Sequence, residues 1–274
     1  MMMEKENIAF IARATRYSPN SVGKDMAILS AVRRQLITLG YSCGDIVGEY
    51  ALEDAVEADA YVSMGRRQDT LNWLGDFERN NVPVVNCTAS VMLCNQRTLL
   101  FHILEESDIP VPPRLGDDGY WVKRGYGCAE CDTDVRYAPD ATTAARYRDE
   151  LFAKGHCQVD TRAHVVGDLV KFYAVAESDF FRYYYPGDDE GEKFGLEQHN
   201  GQPHHYPFDE QVLRDIVTRA ASLVMLDVYG GDCIIRPDGQ PVLIDLNDWP
   251  SFSRCRDEAA VAIARCICER IENA

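Results

Sequence analysis

Short apolar runs alternate with amphipathic stretches in the N-terminal part of the chain. Residues 7–12 (NIAFIA), 60–64 (AYVSM) and 82–86 (VPVVN) have the length and composition of buried strands. Helical periodicity covers residues 21–40, which open with Ser and close with Gly, and residues 68–80. The first helix is expected to bury Met26, Leu29, Val32, Leu36 and Leu39. The alternation predicts a small α/β layer around a parallel sheet.

The rest of the chain mixes helices with β-rich segments. Helices are predicted at four places: 90–106, 141–154, 209–224 and 257–272. A glycine loop separates two strands in 120–136, and 157–186 contains a hairpin of LVKFYAVA and DFFRYYY with Glu177-Ser178 as its turn. Residues 187–207 are polar and rich in Gly, His and Asp, which indicates a loop.

A second β-hairpin is predicted near the C-terminus, in the segment GGDCIIRPDGQPVLIDLN. Its turn is Asp238-Gly239, a dipeptide typical of two-residue hairpin loops. That turn puts Asp232 directly opposite Asp245, and the alternation of side chains puts Asn247 on the same face. Opposed carboxylates destabilise a strand pair unless a cation lies between them. Three oxygen ligands without His or Cys suit Mg²⁺ or Mn²⁺.

The same register describes the other face of this hairpin. Ile235 should pair with Val242 and Cys233 with Ile244. The face away from the carboxylates is then expected to be apolar, formed by Cys233, Ile235, Val242, Ile244 and Leu246. A polar hairpin end that simply meets water is the alternative to a metal site.

Several basic residues lie where an anion could bind. Lys123 ends a predicted strand just before Gly125 and Gly127, and glycines let backbone amides approach phosphate oxygens. An ordinary solvated turn is the alternative. Arg13 and Arg16 follow the first strand, where open α/β sheets bind ligands, so we expect them to contact a substrate. Arg66-Arg67 follows the third strand and is interpreted in the same way.

The first hairpin carries a further group of candidate residues. Lys171 and Tyr173 share one strand face, and the predicted turn brings Arg182 opposite Tyr173 and Tyr184 opposite Lys171. We expect Lys171 and Arg182 to be catalytic cations near the reacting groups; aromatic packing on an exposed strand face is the alternative.

Charge and composition exclude some classes of protein. The 274 residues carry a net charge of −16, which argues against a nonspecific nucleic-acid binder and against an anionic membrane partner. The apolar runs are too short to span a bilayer, and the opening MMMEKENIAF lacks the pattern of a signal segment. We therefore expect a cytoplasmic protein that acts on a small molecule. The sequence does not predict its oligomeric state.

Cysteine and histidine do not form a recognisable metal site in the sequence. Ten cysteines are present, and free thiols are expected for an intracellular protein. Cys128 and Cys131 form a CxxC without a second ligand pair at zinc spacing. His199, His204 and His205 lie in the polar segment without helical spacing, which favours a surface loop or lid.

The order of these features resembles the ATP-grasp superfamily over about residues 86–255. Asn86 to Pro112 is similar to the segment that opens its nucleotide-binding lobe, and Arg97 stands where members usually have a phosphate-binding Lys. Lys123 is similar to the second phosphate-binding Lys. The hinge whose backbone holds adenine resembles Gln158, Val159 and Asp160 of this chain. The metal-binding triad resembles Asp232, Asp245 and Asn247.

The chain departs from the family pattern at three places. Arg124 and Pro250-Ser251 replace a Pro after the Lys and a Pro-Gly after the Asn of many members. Gly230 replaces the Arg that several ligases carry two residues before the first metal Asp. The segment 164–185 also resembles inositol trisphosphate 5/6-kinases, which share its His…Lys-x-(Phe/Tyr) pattern.

The resemblance implies a fold of α/β and α+β parts. A Rossmann-like subdomain over 1–88 would precede a two-lobed ATP-grasp domain, with lobes over 89–156 and 157–274. It also implies the use of ATP with Mg²⁺ or Mn²⁺, and a glutathione-synthetase-like ligase that joins a carboxylate to an amine through an acyl phosphate. A small-molecule kinase and a catalytically degenerate nucleotide-binding protein are the alternatives.

Overall fold

A computed structural model of the chain describes residues 6–18, 21–54, 57–127, 131–186 and 201–274. The strands are β1 Asn7–Ala12, β2 Ser42–Gly48, β3 Ala60–Ser63, β4 Val84–Val85, β5 Tyr120–Arg124, β6 Val135–Ala138, β7 Val159–Ala163, β8 Asp168–Val175, β9 Phe181–Tyr184, β10 Val228–Ile235 and β11 Pro241–Asp248. The helices are α1 Val22–Thr38, α2 Gln68–Glu78, α3 Thr88–Cys94, α4 Arg97–Glu106, α5 Ala141–Ala153, α6 Glu210–Leu223 and α7 Arg256–Glu272.

The N-terminal part is a parallel sheet with helices on both faces. Its strand order is β2-β1-β3-β4, and all three pairings are parallel. The α/β layer predicted from the sequence is therefore confirmed. Met26 and Leu39 remain 40% and 44% exposed, so α1 buries Leu29, Val32 and Leu36 with Ile28 instead of the whole predicted stripe.

Two antiparallel sheets make up the remainder. The smaller has the order β6-β5-β7 and packs against α5, which begins where the Asp140 carboxylate accepts the Thr143 N–H. The larger has the order β11-β10-β8-β9 and packs one face against α4 and α6. Asp209 caps α6 by accepting the Gln211 N–H at 2.8 Å.

The last helix returns to the N-terminal sheet. One hydrophobic core joins α1 and α7 with residues from the larger sheet and from the turn after β11, including Val228, Trp249 and Phe252. Asn86 strengthens this junction because its amide bonds the backbone of Asp227 and Val228 from the end of β4. The N-terminal layer is therefore fixed against the end of the β10–β11 hairpin.

The register of the β10–β11 hairpin differs from the prediction near its turn. Arg236 N–H bonds Gln240 C=O, so the loop has three residues, and Gly239 adopts φ +79 in it. Cys233 pairs with Leu243, and a bulge at Ile244 then restores the predicted pairing of Asp232 with Asp245. The buried face consequently carries Cys233, Ile235, Leu243 and Leu246, and Val242 and Ile244 lie outside that core.

Two further elements were predicted wrongly or missed. The helix expected over 90–106 is interrupted at Gln96, because the Asn95 carbonyl leaves the helical pattern and accepts the Gly127 N–H at 2.7 Å. Strand β2 was not predicted, since its sequence SCGDIVG contains residues typical of turns and it lies at the edge of its sheet. The β8–β9 hairpin has the predicted register.

Candidate active site

Side chains from all four strands form two rows across one face of the larger sheet. The first row is Asp245, Asp232, Lys171 and Tyr184. The second row is Asn247, Gly230, Tyr173 and Arg182. Residues two apart on a strand share a face, so these positions lie side by side on the face opposite the α4–α6 core. Residues predicted separately from two hairpins therefore belong to one surface.

The three candidate metal ligands lie together at the β11 end of the rows. Asp232 and Asp245 are cross-strand neighbours, and the Asn247 amide donates to Asp245 Oδ2 at 3.2 Å. Among the described residues no group of three or more His, Cys, Asp or Glu side chains could hold a metal, so the donor set here is two carboxylates and one amide. Such a set of oxygen donors fits a hard divalent cation.

The two carboxylates have opposite pKa shifts. Burial raises the pKa of Asp232, and the negative charge of Asp245 adds to this effect, although Lys171 opposes it. Burial alone would also raise the pKa of Asp245, but the positive charges of Arg97 and Lys123 outweigh it and the pKa is lowered. Asp245 is therefore the carboxylate that stays ionised most readily, and its charge is balanced by Arg97 of α4 and Lys123 of β5.

Arg97 and Lys123 face the carboxylates from the smaller sheet and its neighbouring helix. Arg97 lies 3.8 Å from Asp245 Oδ1 through one guanidinium nitrogen and donates to the Arg124 carbonyl at 2.8 Å through another. Burial lowers the pKa of the Lys123 ammonium, and the negative charge of Asp245 opposes this. The two predicted phosphate-binding cations and the predicted metal ligands are thus brought together.

Backbone hydrogen bonds hold the glycine loop after β5 against two neighbouring segments of the chain. Gly125 N–H donates to the Gln158 carbonyl at 2.9 Å, and Gly127 N–H donates to the Asn95 carbonyl at 2.7 Å. A Cβ at Gly125 would lie 2.5 Å from Thr98 Oγ1, so glycine is required there for close packing. These two amides secure the loop in this structure, and the geometry gives no support to their predicted contact with phosphate.

A cavity separates the two antiparallel sheets. Its charged lining is Lys123, Asp160, Arg162 and Asp232, and its apolar lining includes Phe101, Trp121, Val165, Leu169, Ile234 and Ile244. Asp160 lies opposite Lys123 on neighbouring strands and forms an ion pair with Arg162 at 3.2 Å. The cavity thus has an apolar part that ends at Asp232, one of the candidate metal ligands.

The chain passes between the two sheets later than expected. Val159 and Asp160 lie in β7, the third strand of the smaller sheet, and Gln158 precedes that strand directly. The connection to the larger sheet runs over residues 164–167. The expected division between 156 and 157 therefore falls one strand too early, and Ala163, His164 and Val165 line the cavity where Gln158 and Val159 were expected.

Some cavity residues were not identified from the sequence. The Trp121 indole N–H donates to His164 Nδ1 at 3.1 Å, which fixes both rings on the cavity wall. Arg162 is 3% exposed, and its guanidinium packs over Phe101 and bonds Glu105 at 2.6 Å. The only sequence signal for Arg162 is a charged residue on a buried strand, which indicates a partner without identifying it.

Arg13 has a structural role that the sequence prediction missed. Its side chain is 7% exposed and donates to the carbonyls of Met64 and Trp249 at 3.2 and 3.0 Å. It also pairs at 3.5 Å with Asp248, a carboxylate that Arg66 binds through two nitrogens. Arg13 and Arg66 therefore join the N-terminal layer to β11, and contact with a substrate is not supported for either.

An internal carboxylate fills the strand ends where a ligand was expected. Glu49 is 2% exposed and accepts the backbone N–H groups of Ala14, Arg66 and Arg67 at 2.5, 2.6 and 2.6 Å. These amides follow β1 and β3, the edge at which open α/β sheets bind ligands. Glu49 thus satisfies the backbone donors that an anionic ligand would use at this edge.

The remaining predicted cations differ in their surroundings. Lys171 Nζ lies 3.4 Å from Asp232 Oδ1, within the candidate site. Arg182 forms an ion pair with Glu258 of α7 and donates to its neighbour's carbonyl, so it lies at the far end of the second row. Arg16 is exposed and packs on Tyr17, 4.6 Å from the ring centre. Catalytic and substrate-binding roles for these residues remain predictions.

The other sequence candidates are only partly covered by the structure. Cys128 of the CxxC and His199 of the histidine group lie outside the described residues. His204 and Tyr206 donate their backbone N–H groups to the buried Asp168 carboxylate, and the His204 ring stacks on Tyr206. This anchors the end of the polar segment at the start of β8. None of the described helices is long and apolar enough to cross a membrane.

Comparison with known proteins supports this architecture. No protein-family model and no curated protein sequence matches the chain. D-alanyl-alanine synthetase A from Vibrio cholerae aligns over 99% of this chain and 100% of its own, with a TM-score of 0.68 and 12% identity. A RimK domain ATP-grasp protein from Sphaerobacter thermophilus aligns over 96% and 99%, with a TM-score of 0.66 and 16% identity.

A D-Ala:D-Ser ligase, VanG from Enterococcus faecalis, is similar to the same extent, with a TM-score of 0.66 and 12% identity over 97% of this chain and 99% of its own. All three likenesses extend over nearly the full length of both chains. At identities of 12% to 16% they concern the fold. Together with the two antiparallel sheets and the preceding parallel layer, they show that this chain has the ATP-grasp fold.

Proposed function

We propose that this chain is an ATP- and Mg²⁺-dependent ligase that joins a carboxylate of a small molecule or peptide to an amine through an acyl phosphate. The order of side chains along β8 carries the proposal. Leu169 lies on the apolar cavity wall, Lys171 in the first row beside the carboxylates, and Tyr173 in the second row. Residues two apart on a strand are about 7 Å apart, so a base, a phosphate chain and an acceptor would fit in that order.

The apolar part of the cavity suits a purine base. Such a base is flat and largely apolar, with hydrogen-bonding groups on its edge, and binding sites for such groups are mostly apolar with a few polar contacts. We place the base beside Ala163, His164 and Val165, which line the cavity where the chain crosses between sheets. This replaces the hinge expected at residues 158–160.

The charged part of the site suits a phosphate chain. Phosphoryl transfer depends mostly on positioning and on stabilising negative charge, and Lys123, Arg97 and Lys171 surround this position from three elements. Asp232, Asp245 and Asn247 would hold Mg²⁺, which would supply further positive charge for the phosphates when bound. Arg97 and Lys171 balance part of the carboxylate charge.

The activities named for the structural neighbours favour a ligase over the other ATP-dependent reactions. They include D-alanine–D-alanine ligases, one of them from Bacillus anthracis complexed with ATP at a TM-score of 0.65, and the D-Ala:D-Ser ligase. A carboxylate acceptor and an acyl-phosphate intermediate are our extension of that likeness to this chain. The similarity of residues 164–185 to inositol phosphate kinases keeps phosphorylation of a hydroxyl as the competing reaction.

One assay distinguishes these reactions. The chain is incubated with Mg-ATP and a panel of carboxylates, amines and polyols, and free phosphate, ADP and product masses are measured together. The ligase releases one phosphate per ADP and yields an amide, and Asp245→Asn abolishes both. A phosphorylated acceptor without free phosphate would show that the protein is a kinase and not a ligase. ATP binding without turnover on any pair would indicate a degenerate nucleotide-binding protein.

A further inference from the structure

The second row of the sheet has no room for a side chain at its centre. A Cβ at Gly230 would lie 2.6 Å from the Phe172 carbonyl oxygen and 2.8 Å from Pro250 Cγ. Pro250 belongs to the segment that follows β11, so this segment lies directly on the strand. A cation at position 230, two residues before Asp232, is therefore excluded by packing as well as by sequence.

The segment after β11 then crosses the sheet along the second row. Pro250 covers Gly230, and Phe252 packs against Tyr173 with ring centroids 5.5 Å apart. Arg254 lies over the Tyr184 ring, 5.1 Å from its centre, and Tyr184 is the neighbour of Lys171 on β9. Because Gly230 has no side chain, Pro250 can pack directly on the sheet. The segment can then continue across the sheet and place Arg254 over Tyr184 on the far strand.

This segment is held rigidly although two of its residues have unfavourable backbone angles. Trp249 and Phe252 have φ values of +40 and +48, a region that bulky residues rarely adopt, and both are fully buried. The Trp249 backbone N–H bonds the Val228 carbonyl at 3.1 Å and its indole N–H bonds the Val85 carbonyl at 3.2 Å. Such a conformation persists only where its surroundings fix it, so the path of the backbone from Trp249 to Phe252, which leads to Arg254, is set by the fold.

Arg254 belongs to the electrostatic surroundings of the candidate site. Burial raises the pKa of the Tyr173 hydroxyl, and the positive charges of Lys171 and Arg254 oppose that rise. The backbone of Tyr184 is two strands from that of Asp232, or about 10 Å. Among the described residues of this region, Asp232 pairs with Lys171 and Glu258 pairs with Arg182. A small acceptor could therefore touch both the reacting centre and Arg254.

We propose that Arg254 binds an anionic group, a carboxylate or a phosphate, of the acceptor substrate and so determines which acceptors this chain accepts. The proposal rests on the function proposed above, because it assumes an acceptor beside the phosphate-binding row. The guanidinium is exposed on its loop, and its planar donor pattern matches either oxyanion. The aromatic shelf of Tyr173 and Tyr184, whose rings are 5.9 Å apart, would support the organic part of the acceptor.

The test measures anion binding by calorimetry to the full chain with Mg²⁺ and the non-hydrolysable ATP analogue AMP-PNP, and repeats each titration without the nucleotide. Succinate and glycerol 3-phosphate are the two probes, one for a carboxylate and one for a phosphate. The variants are Arg254→Met, Arg254→Lys and, as a matched control, Arg265→Met on the exposed face of α7. AMP-PNP affinity is measured for every variant.

We expect at least one probe to bind the wild-type chain and Arg254→Met to weaken it by about tenfold or more. Arg254→Lys should retain part of the affinity, because it keeps the positive charge but loses the planar pair of guanidinium donors. Arg265→Met should bind as the wild type does. The tighter probe identifies the anionic group. Unchanged affinity in Arg254→Met, or no binding of either probe to the wild type, would overturn the assignment.

The two proposals fail in different ways. A wild-type chain that does not bind AMP-PNP, or does not release phosphate, would count against the ligase function. The anion titrations without nucleotide would still decide the role of Arg254. Normal AMP-PNP affinity in Arg254→Met, together with weakened anion binding, would show that the variant is folded and that the loss is specific to the acceptor.

Discussion

The ammonium of Lys171 lies 3.4 Å from Asp232 Oδ1, on the strand next to the one that carries the carboxylate. Asp245 lies on the other side of Asp232 in the same row. Lys171 thus balances one of two adjacent carboxylates, and Arg97 and Lys123 balance the other. The pair connects the hairpin that carries the candidate metal ligands to the hairpin that carries the candidate acceptor residues.

The first prediction concerns metal binding at this row. Lys171→Met removes the cation and leaves the two carboxylates to repel each other, so we expect a lower melting temperature without metal. Mg²⁺ should then raise the melting temperature more in the variant than in the wild type, because ligands that bind only the native state stabilise it. Differential scanning fluorimetry with and without Mg²⁺ measures both effects.

Two controls accompany this measurement. Lys24→Met removes an exposed charge on α1 and should leave the response to Mg²⁺ unchanged. In the wild type, Mg-ATP should raise the melting temperature clearly, whereas ATP with a chelator should have little effect. Equal shifts with and without the chelator would contradict a metal role for Asp232 and Asp245.

The second prediction concerns Lys123. Lys123→Met keeps the length of the side chain and removes the positive charge that interacts with Asp245. If this charge stabilises the transferring phosphoryl group, kcat should fall by about 10²–10³ while circular dichroism and melting temperature show a folded protein. Steady-state phosphate release with the active acceptor pair measures the loss, and Lys24→Met is again the control. Unchanged turnover would remove Lys123 from the reaction.

The pairing of the candidate metal ligands was predicted correctly although parts of the hairpin that carries them were not. The Asp238-Gly239 turn indicated the correct hairpin, but its loop has three residues, and the bulge at Ile244 compensates for the shift before Asp245 is reached. A bulge depends on how the strand packs against its neighbours, which local sequence does not describe. The pairing of Asp232 with Asp245 was therefore predicted correctly by a register that was wrong nearer the turn.

The contacts of Arg13 do not support the substrate-binding role predicted from the sequence, for a different reason. Arg13 follows a strand at the edge where ligands bind, and nothing nearby in sequence indicates a partner. Its partner Asp248 is 235 positions later in the chain, and the carboxylate that occupies the neighbouring amides is Glu49, which directly follows a strand that was not predicted. Sequence position identifies the strand end, whereas only the tertiary structure shows that the end is already occupied.

The third prediction follows from that buried network. Asp248 is fully buried and pairs with Arg13 and Arg66, whose side chains are 7% and 9% exposed. Asp248→Asn removes the buried carboxylate charge that both guanidinium groups share, and we expect the free energy of unfolding to fall by about 3–5 kcal/mol. Urea denaturation measures the change. The matched control is Asp76→Asn, an exposed carboxylate paired with Arg79, which should cost about 0.5 kcal/mol or less.

This network also predicts how Arg13 variants behave. Arg13→Lys should lower stability and leave the KM for the acceptor nearly unchanged, because the guanidinium is buried and its donors bond Met64, Trp249 and Asp248. A large rise in that KM with full stability would restore the substrate-binding role inferred from the sequence.

The fourth prediction concerns pH. Hydrogen bonds from Arg162 and Arg114 lower the pKa of Glu105 below its usual 4.5. A lowered pKa in the folded state stabilises the protein above the unfolded value, and this contribution is lost as the pH falls through the folded value. The wild type should therefore be more stable than Glu105→Gln at pH 7, and the difference should shrink below about pH 4.5. A difference that stays constant from pH 7 to pH 3 would contradict the ion pair.

The last prediction tests whether Gly230 sets the path of the segment that ends in Arg254. Gly230→Ala puts a Cβ 2.6 Å from the Phe172 carbonyl oxygen and 2.8 Å from Pro250 Cγ, so Pro250 must move off the strand. Gly48→Ala is the matched control, since it also lies in a strand and its Cβ would meet nothing within 4 Å. We expect Gly230→Ala to weaken anion binding as Arg254→Met does, while AMP-PNP affinity changes less, because the cavity that would hold the base lies on the other side of the carboxylate row. Normal anion binding in Gly230→Ala would mean that Arg254 reaches its position independently of Pro250.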